Sequence, residues 1–565
     1  MRSGWLLCFF LLALKAQLIP TGNPIPITAK PPIVFLNGYQ ADCSGSQFSN
    51  TFGVFDELFQ NTGRVSLFFD NCAYGGKPSI EELGSDFAAY LATLTYTDGT
   101  PVAQVDVVAH SMGGLIVRCY LAGKQTTAGV FEPPANPAIR KMVFLAVPNF
   151  GSPIVSFFGG GIDAQSKELA EGTIFNFDLA TWNQGADDLR GLDALAAAGN
   201  GGTGLATMPG FDDGVVSLTS AAIGFAEPGR TRVIPYCHTG PGLVTLAGLC
   251  PPNAPGIADG ENATDENAAL VLSFLNDTTA WQSIGQAAEQ NSFLSTGGGL
   301  EARAKSAADQ YLTIQSATAS SSLSVNGNAA AWAEFLPSGA QDLTISTSSG
   351  RLQDNVTLPP AFTSSITVKQ GPLIARVLPS AAAVFPLAVA PGEIVSIYGT
   401  NLATSQVTVG GVAATVDYNG VSQINAIVPD SVQGFVPFTV SNAAGSHTVN
   451  VLIQPAVPAI YTQDQSGTGP AAALNGITNV LVTSTSPLHP GDYVSLYLTG
   501  LGSAQPAVTV GGQPCNVAYA GAAPGFPGLN QINCQIAVGL SASPTSPVLV
   551  TAGGRTSNQV TLAIE

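Results

Sequence analysis

The sequence predicts two architectures in one chain: a mostly parallel β-sheet with flanking helices over residues 31–286, then all-β sandwich modules to residue 565. Three observations predict this. Short apolar runs (IVFLNG, VSLFF, VDVVAH, MVFLAV, RVIPYC) alternate with amphipathic stretches such as SIEELGSDFAAYLATL as far as Trp281, the signature of βαβ units. Beyond Asn291 the texture changes to Thr/Ser/Val-rich alternation (YLTIQSATA, DLTISTSSG, SSITVKQG), the period-two pattern of half-buried strands. In the last third the chain repeats itself. PGEIVSIYGTNL at Pro391 returns as PGDYVSLYLTGL at Pro490, VTVGG at Val407 returns at Val508, and QIN at Gln423 returns at Gln531.

At the N-terminus, Arg2 precedes an apolar run from Trp5 to Leu14 that is too short to span a bilayer. With Lys15-Ala16 behind it, residues 1–16 read as a secretory signal peptide cut after Ala16, which leaves no transmembrane segment in a secreted chain. The sheet region follows, closing on ENAALVLSFLNDTTAWQ, whose apolar residues have helical spacing. Within it, residues 154–210 read as a long lid-like insertion, with SFFGGG and GTIFNFDLATW supplying aromatic side chains. A small β-domain over residues 291–371 comes next, then the two repeat copies at 379–460 and 461–565.

Of the 565 residues, 45% are hydrophobic and 10% charged, a globular composition with turn-forming residues in place of charges. The net charge of −18, with no basic stripe, excludes a nucleic-acid partner, which would have to be met by clustered Lys and Arg. Behind the signal, cysteines fall into local pairs: Cys43 with Cys72, Cys237 with Cys250, and Cys515 with Cys534, leaving Cys119 in an apolar stretch. Such pairing suits an oxidising compartment. Aligning the repeats places Ala414 opposite Cys515 and Ala426 opposite Cys534, so both cysteines occur together or not at all. The two positions are therefore expected to face each other across strands at disulfide distance.

The motif that carries chemistry is Ala109-His110-Ser111-Met112-Gly113-Gly114, between the strand QVDVV and the helix GLIVRCYLAG. A serine on a sharp strand-to-helix turn, flanked by small residues so that the backbone can pack tightly, is a nucleophile elbow. The Met112 N–H sits at the helix start, where it would stabilise an oxyanion. Serine needs a base, and among four histidines only His238 follows a late strand of the sheet, in the loop HTGPG. The acid that orients the ring should lie between serine and histidine in the chain; PGFDDGVV offers Asp213 and, next to it, Asp212.

With AHSMGG, VFLNGY near the start, FLAVPNFGSP after the next strand, DDGVV before the histidine and the closing helix, residues 32–281 resemble the bacterial secreted lipases and esterases of the α/β-hydrolase superfamily. That resemblance implies a Ser111–Asp213–His238 triad that cleaves ester or lipid substrates through an acyl-enzyme. It also implies a second oxyanion N–H from Tyr39. Asn37 stands where the family usually has histidine, and HTGPGLV lacks the acidic residues of the family's calcium site, so no metal and no cofactor is expected. From Pro379 to Glu565 the repeats resemble immunoglobulin-like IPT/TIG modules and a C-terminal module common on secreted soil-bacterial proteins. These modules suit docking on an insoluble substrate or a cell surface. The same residues leave open an acyltransferase or a polyester depolymerase on this fold, or a cell-surface adhesion protein whose hydrolase-like domain is inactive.

Overall fold

The computed structural model describes all residues except 1–17, 44–45, 76, 158–161, 183–188, 190–191, 205–209, 224–228, 242–246, 320–323 and 383–387. The expected signal peptide at 1–16 lies outside the described residues, as do parts of the expected insertion. Among the described residues, no helix is long and apolar enough to cross a membrane.

Six parallel strands form the first sheet: β1 (Ile33–Leu36), β2 (Ser66–Phe69), β3 (Val105–His110), β4 (Ile139–Leu145), β5 (Asp193–Gly199) and β6 (Thr231–Ile234), in spatial order 2-1-3-4-5-6. Both faces of a parallel sheet must be covered, which is why these strands read as continuous apolar runs rather than alternating ones. Val34, Leu36, Val107 and Ala109 point to one core, built with helices Ile80–Thr93 and Met112–Ala122. Ile33, Phe35 and Val108 point to the other, built with Phe48–Phe52, Phe55–Gln60 and Glu266–Leu275. Helix Ile80–Thr93 starts where a capping box predicts: the Ser79 N–H donates to Glu82 Oε2 at 2.7 Å, and the Glu82 N–H donates to Ser79 Oγ at 3.2 Å.

Residues 154–210 are not a simple excursion, because β5 lies inside that span and pairs with both β4 and β6. The segment DALAAAG has no β-branched or aromatic residue, so the usual strand signal is missing. Alanines serve there because the strand is buried on both sides. The chain outside the sheet includes the helices Pro153–Phe157, Ala164–Glu168 and Ile174–Thr181. At the other end, helix Gln286–Ser295 packs on β6: Arg232 Nη1 meets Glu289 Oε2 at 2.8 Å, and Asn200 Nδ2 donates to Ser292 Oγ at 3.3 Å.

Residues 298–369 form two small sheets, one containing Gly298–Lys305 parallel to Thr363–Lys369 and the other containing the hairpin Gly339–Thr347 with Gly350–Leu358. They touch the first sheet's helices directly, with Thr363 Oγ1 donating to the Thr219 carbonyl at 2.8 Å. The repeat copies follow as antiparallel sheets, one pairing Ile394–Thr400 with Gln423–Ile427, the other Tyr493–Thr499 with Asn530–Gln535. Disulfides join Cys43 to Cys72, Cys237 to Cys250 and Cys515 to Cys534, while Cys119 is free and buried. The Cys515–Cys534 pair, with Cα atoms 5.5 Å apart, bridges neighbouring strands at the positions that alanines fill in the first copy.

Candidate active site

Strand β3 ends at His110, and helix Met112–Ala122 begins one residue later, so Ser111 alone makes the turn. Its backbone has φ 54° and ψ −131°, a conformation costly for a residue with a side chain and held here by the surrounding structure. The Ser111 N–H donates to the Leu145 carbonyl on β4 at 3.0 Å. Crowding explains the small residues around it. A Cβ on Gly113 would stand 2.7 Å from the carbonyl oxygens of Leu36 and Asn37, and one on Gly38 would stand 2.7 Å from Ser111 Cβ. The close approach of the loop after β1 to the serine therefore demands glycine at both places.

Loops after β5 and β6 bring two more side chains to this turn. His238 Nε2 lies 2.9 Å from Ser111 Oγ, and His238 Nδ1 lies 2.8 Å from Asp213 Oδ2. All three side chains are buried. The other Asp213 oxygen accepts backbone N–H bonds from Val215 at 2.9 Å and Val216 at 2.7 Å, so the carboxylate is fully engaged. Asp212 points elsewhere: Oδ1 accepts the Gly214 N–H at 2.8 Å, and burial pushes its carboxyl up to about 6. Of the two aspartates, the structure brings Asp213 to the imidazole. The disulfide Cys237–Cys250 is anchored on the residue immediately before His238.

His110 adds a contact that its place in the motif did not reveal. Its Nε2–H donates to the His238 carbonyl at 2.9 Å, and the two rings are 4.7 Å apart. Burial, reinforced by the neighbouring His238, holds His110 well below the ordinary histidine range, so it acts as a neutral donor.

The backbone N–H groups of Tyr39 and Met112 have no protein acceptor among the described residues. The loop that carries Tyr39 is tied down from behind. Asn71 Nδ2 donates to the Gly38 carbonyl at 2.8 Å, the Asn71 N–H donates to Asn37 Oδ1 at 3.3 Å, and Asn37 Nδ2 donates to Ser46 Oγ at 3.1 Å. Ser46 Oγ in turn donates to Asp70 Oδ1 at 2.8 Å. Asn37 is thus a strut of this loop. No motif in FFDNCAY marks Asn71 or Asp70, because their partners come from a different strand-end loop.

The Tyr39 hydroxyl donates to Asp163 Oδ2 at 2.9 Å, and Lys77 Nζ meets the same oxygen at 3.0 Å. Burial works against the Asp163 charge, but hydrogen bonds from Ser166, Lys77 and Tyr39 outweigh it and hold the carboxyl at about 2. A cavity of about 300 Å³ lies beside this loop, lined by Gln40, Asn71, Lys77 and Gln165. The larger cavity, about 1220 Å³, lies between the first sheet's helices and the β-modules and includes none of Ser111, Asp213 or His238. Side-chain geometry, not cavity size, locates the candidate site. Among the described residues no cluster of three or more His, Cys, Asp or Glu could hold a metal ion.

No curated protein matches the chain. Among solved structures, phospholipase PlaB from Legionella pneumophila is similar at 14% identity and a TM-score of 0.44, covering 60% of this chain and 94% of that one. Its complex with thio-NAD gives 13% identity, a TM-score of 0.43 and the same coverage. The IPT/TIG domain model matches residues 379–454. The chain joins a six-stranded parallel sheet with flanking helices to an IPT/TIG domain at residues 379–454.

Proposed function

We propose that this protein is a secreted serine hydrolase that cleaves carboxylic esters, with Ser111 as nucleophile, His238 as general base and Asp213 as the acid that orients the ring. One observation carries the reading: an unbroken hydrogen-bonded relay from Asp213 Oδ2 through both imidazole nitrogens to the Oγ of a serine at positive φ. Serine is a weak nucleophile at its free pKa and needs this kind of base.

In the proposed reaction His238 Nε2 takes the Ser111 proton as Oγ attacks the ester carbonyl carbon. The carbonyl oxygen becomes an oxyanion, met by the N–H groups of Tyr39 and Met112. Collapse expels the alcohol, which receives the proton from His238, and leaves an acyl-Ser111 ester. Water, deprotonated by the same nitrogen, then releases the acid and restores the serine. Asp213 fixes the tautomer with the proton on Nδ1 and stabilises the imidazolium while it lasts. Secretion is supported by the disulfides, which persist in oxidising compartments.

The test is a serine-directed fluorophosphonate together with a chain-length series of p-nitrophenyl esters. Wild-type protein should be labelled on Ser111 and turn over at least one ester, and Ser111→Ala should lose both while unfolding at the wild-type temperature. Labelling at another serine, or full turnover by Ser111→Ala, would move the site. An unlabelled, inactive wild type would favour a binding protein on a hydrolase-like fold.

A further inference from the structure

Both repeat copies carry the same five side chains on the outer face of one sheet. In the first copy these are Ser396, Tyr398, Tyr418, Gln423 and Asn425; in the second, Ser495, Tyr497, Tyr519, Gln531 and Asn533. The register sets Ser396 opposite Asn425, Tyr398 opposite Gln423 and Tyr418 opposite Asn425. It repeats with Ser495 opposite Asn533, Tyr497 opposite Gln531 and Tyr519 opposite Asn533. Directly opposed residues of an antiparallel pair share a face, so each set lies on one face, with Ser396 and Ser495 buried and the other members partly or fully exposed. The alternate positions, Val395, Ile397 and Ile424 in one copy and Val494, Leu496 and Ile532 in the other, fill the cores. Core packing accounts for those residues but not for the outer five, which stay the same while the cysteine pair of one copy becomes alanines in the other.

The outer tyrosines lie down rather than stand up. A Cβ on Gly420 would come within 2.7 Å of the Tyr418 hydroxyl, and one on Gly521 within 3.1 Å of the Tyr519 hydroxyl. A residue two places along a strand shares its face, so each ring rests over a glycine floor with its other side open. Tyr418 is 54% exposed and Tyr519 42%. Beside the rings, the amides are oriented alike: Gln423 Nε2 donates to Asn425 Oδ1 at 2.8 Å, and Gln531 Nε2 donates to Asn533 Oδ1 at 2.8 Å. Each pair thereby presents a glutamine carbonyl acceptor and an asparagine N–H donor with no protein partner among the described residues.

The second-copy face is also uncharged, in a chain of net charge −18. The second copy is the more open. Its face continues through Tyr493, Gln535 and Asn516, which the register places in one row. In the first copy the corresponding Ile394 and Ile427 are covered by Gly528, and Arg376 lies 5.1 Å over the Tyr398 ring. A flat aromatic face beside paired amide donors and acceptors, without charge, matches a ligand whose rings have apolar faces and hydroxyl edges. An anionic polymer or an acidic membrane would demand lysine and arginine instead. We propose that these two faces bind neutral polysaccharide, with the second-copy face as the main site, so that the chain is held on a carbohydrate surface.

The full-length protein would be incubated with insoluble cellulose, chitin and β-1,3-glucan, and depletion from the supernatant measured. Polygalacturonate and anionic phospholipid vesicles serve as charged comparators. Binding to at least one neutral polymer is expected, weakened by about tenfold or more in Tyr493→Ala/Tyr519→Ala and in Gln531→Ala. Tyr418→Ala should weaken it less, since the first-copy face is partly covered. The exposed positions make unchanged unfolding temperatures the expected control. Failure to bind any of the neutral polymers, undiminished binding by the folded variants, or binding confined to polygalacturonate or vesicles would each overturn the proposal. None of these readings depends on catalytic activity.

Discussion

Asp213 and His238 are joined twice: the carboxylate meets Nδ1 of the ring at 2.8 Å, and the Asp213 carbonyl accepts the His238 backbone N–H at 2.8 Å. The second bond sets the distance between the two loops, so the first does not depend on side-chain placement alone. Asp212, one residue earlier, points its carboxylate away from the ring.

Asp213→Asn should therefore lower kcat on any ester the protein turns over by about a thousandfold or more, because the ring loses its tautomer partner. Asp212→Asn should stay within about fivefold of wild type, since it removes no contact to the ring. Steady-state kinetics on both variants checks the ranking, and the reverse order would reassign the acid.

Asn71 grips the Gly38 carbonyl, and the Tyr39 N–H lies on the opposite side of the same planar trans peptide. Asn71→Asp keeps the shape but removes the donor, so kcat should fall by about 10- to 100-fold with KM little changed. Affinity for a trifluoromethyl ketone, which forms a tetrahedral oxyanion, should fall in parallel. Tyr39→Phe, which keeps the backbone N–H, should cost less than either measure of Asn71→Asp.

Glu301 is buried, with Ser365 Oγ 3.1 Å from one of its oxygens. Burial chiefly, and then the neighbouring Glu171, push its carboxyl up to about 8, against the pull of the Ser365 hydroxyl and Arg118. A carboxyl whose folded value lies above its unfolded one takes up a proton on folding, so its stabilising contribution is complete in acid and is lost as pH rises toward 8. Glu301→Gln should flatten this fall, raising stability at about pH 9 by on the order of 2 kcal/mol while changing little near pH 4. Denaturant unfolding across that range is the check; an unchanged slope would show that folding does not raise the Glu301 carboxyl above its unfolded value.

Residue 286, expected as the end of the first domain, falls at the start of a helix that packs on β6. A chain ending there loses Glu289 and leaves Arg232 buried without its ion-pair partner, a loss of about 3 kcal/mol. A chain ending after Ser295 keeps the pair. Comparing the thermal unfolding of the two truncated chains tests this, and equal midpoints would restore the earlier boundary.

Much of this protein was determined by local sequence. The parallel sheet was legible because its strands, buried on both faces, are apolar runs separated by amphipathic helices. The serine turn was legible because tight backbone packing admits only small residues beside it. The Cys515–Cys534 bridge followed from two copies that changed both positions together. Strand β5 was missed because alanines carry no periodic or β-branched signal. The bond from the His238 backbone N–H to the Asp213 carbonyl, the hydrogen bond from His110 to the His238 carbonyl, and the Asn71 grip on Gly38 were decided only by tertiary structure. Each joins residues from different strand-end loops, and such a contact has no spacing in the sequence: it exists because parallel strands deliver all their following loops to the same edge of the sheet.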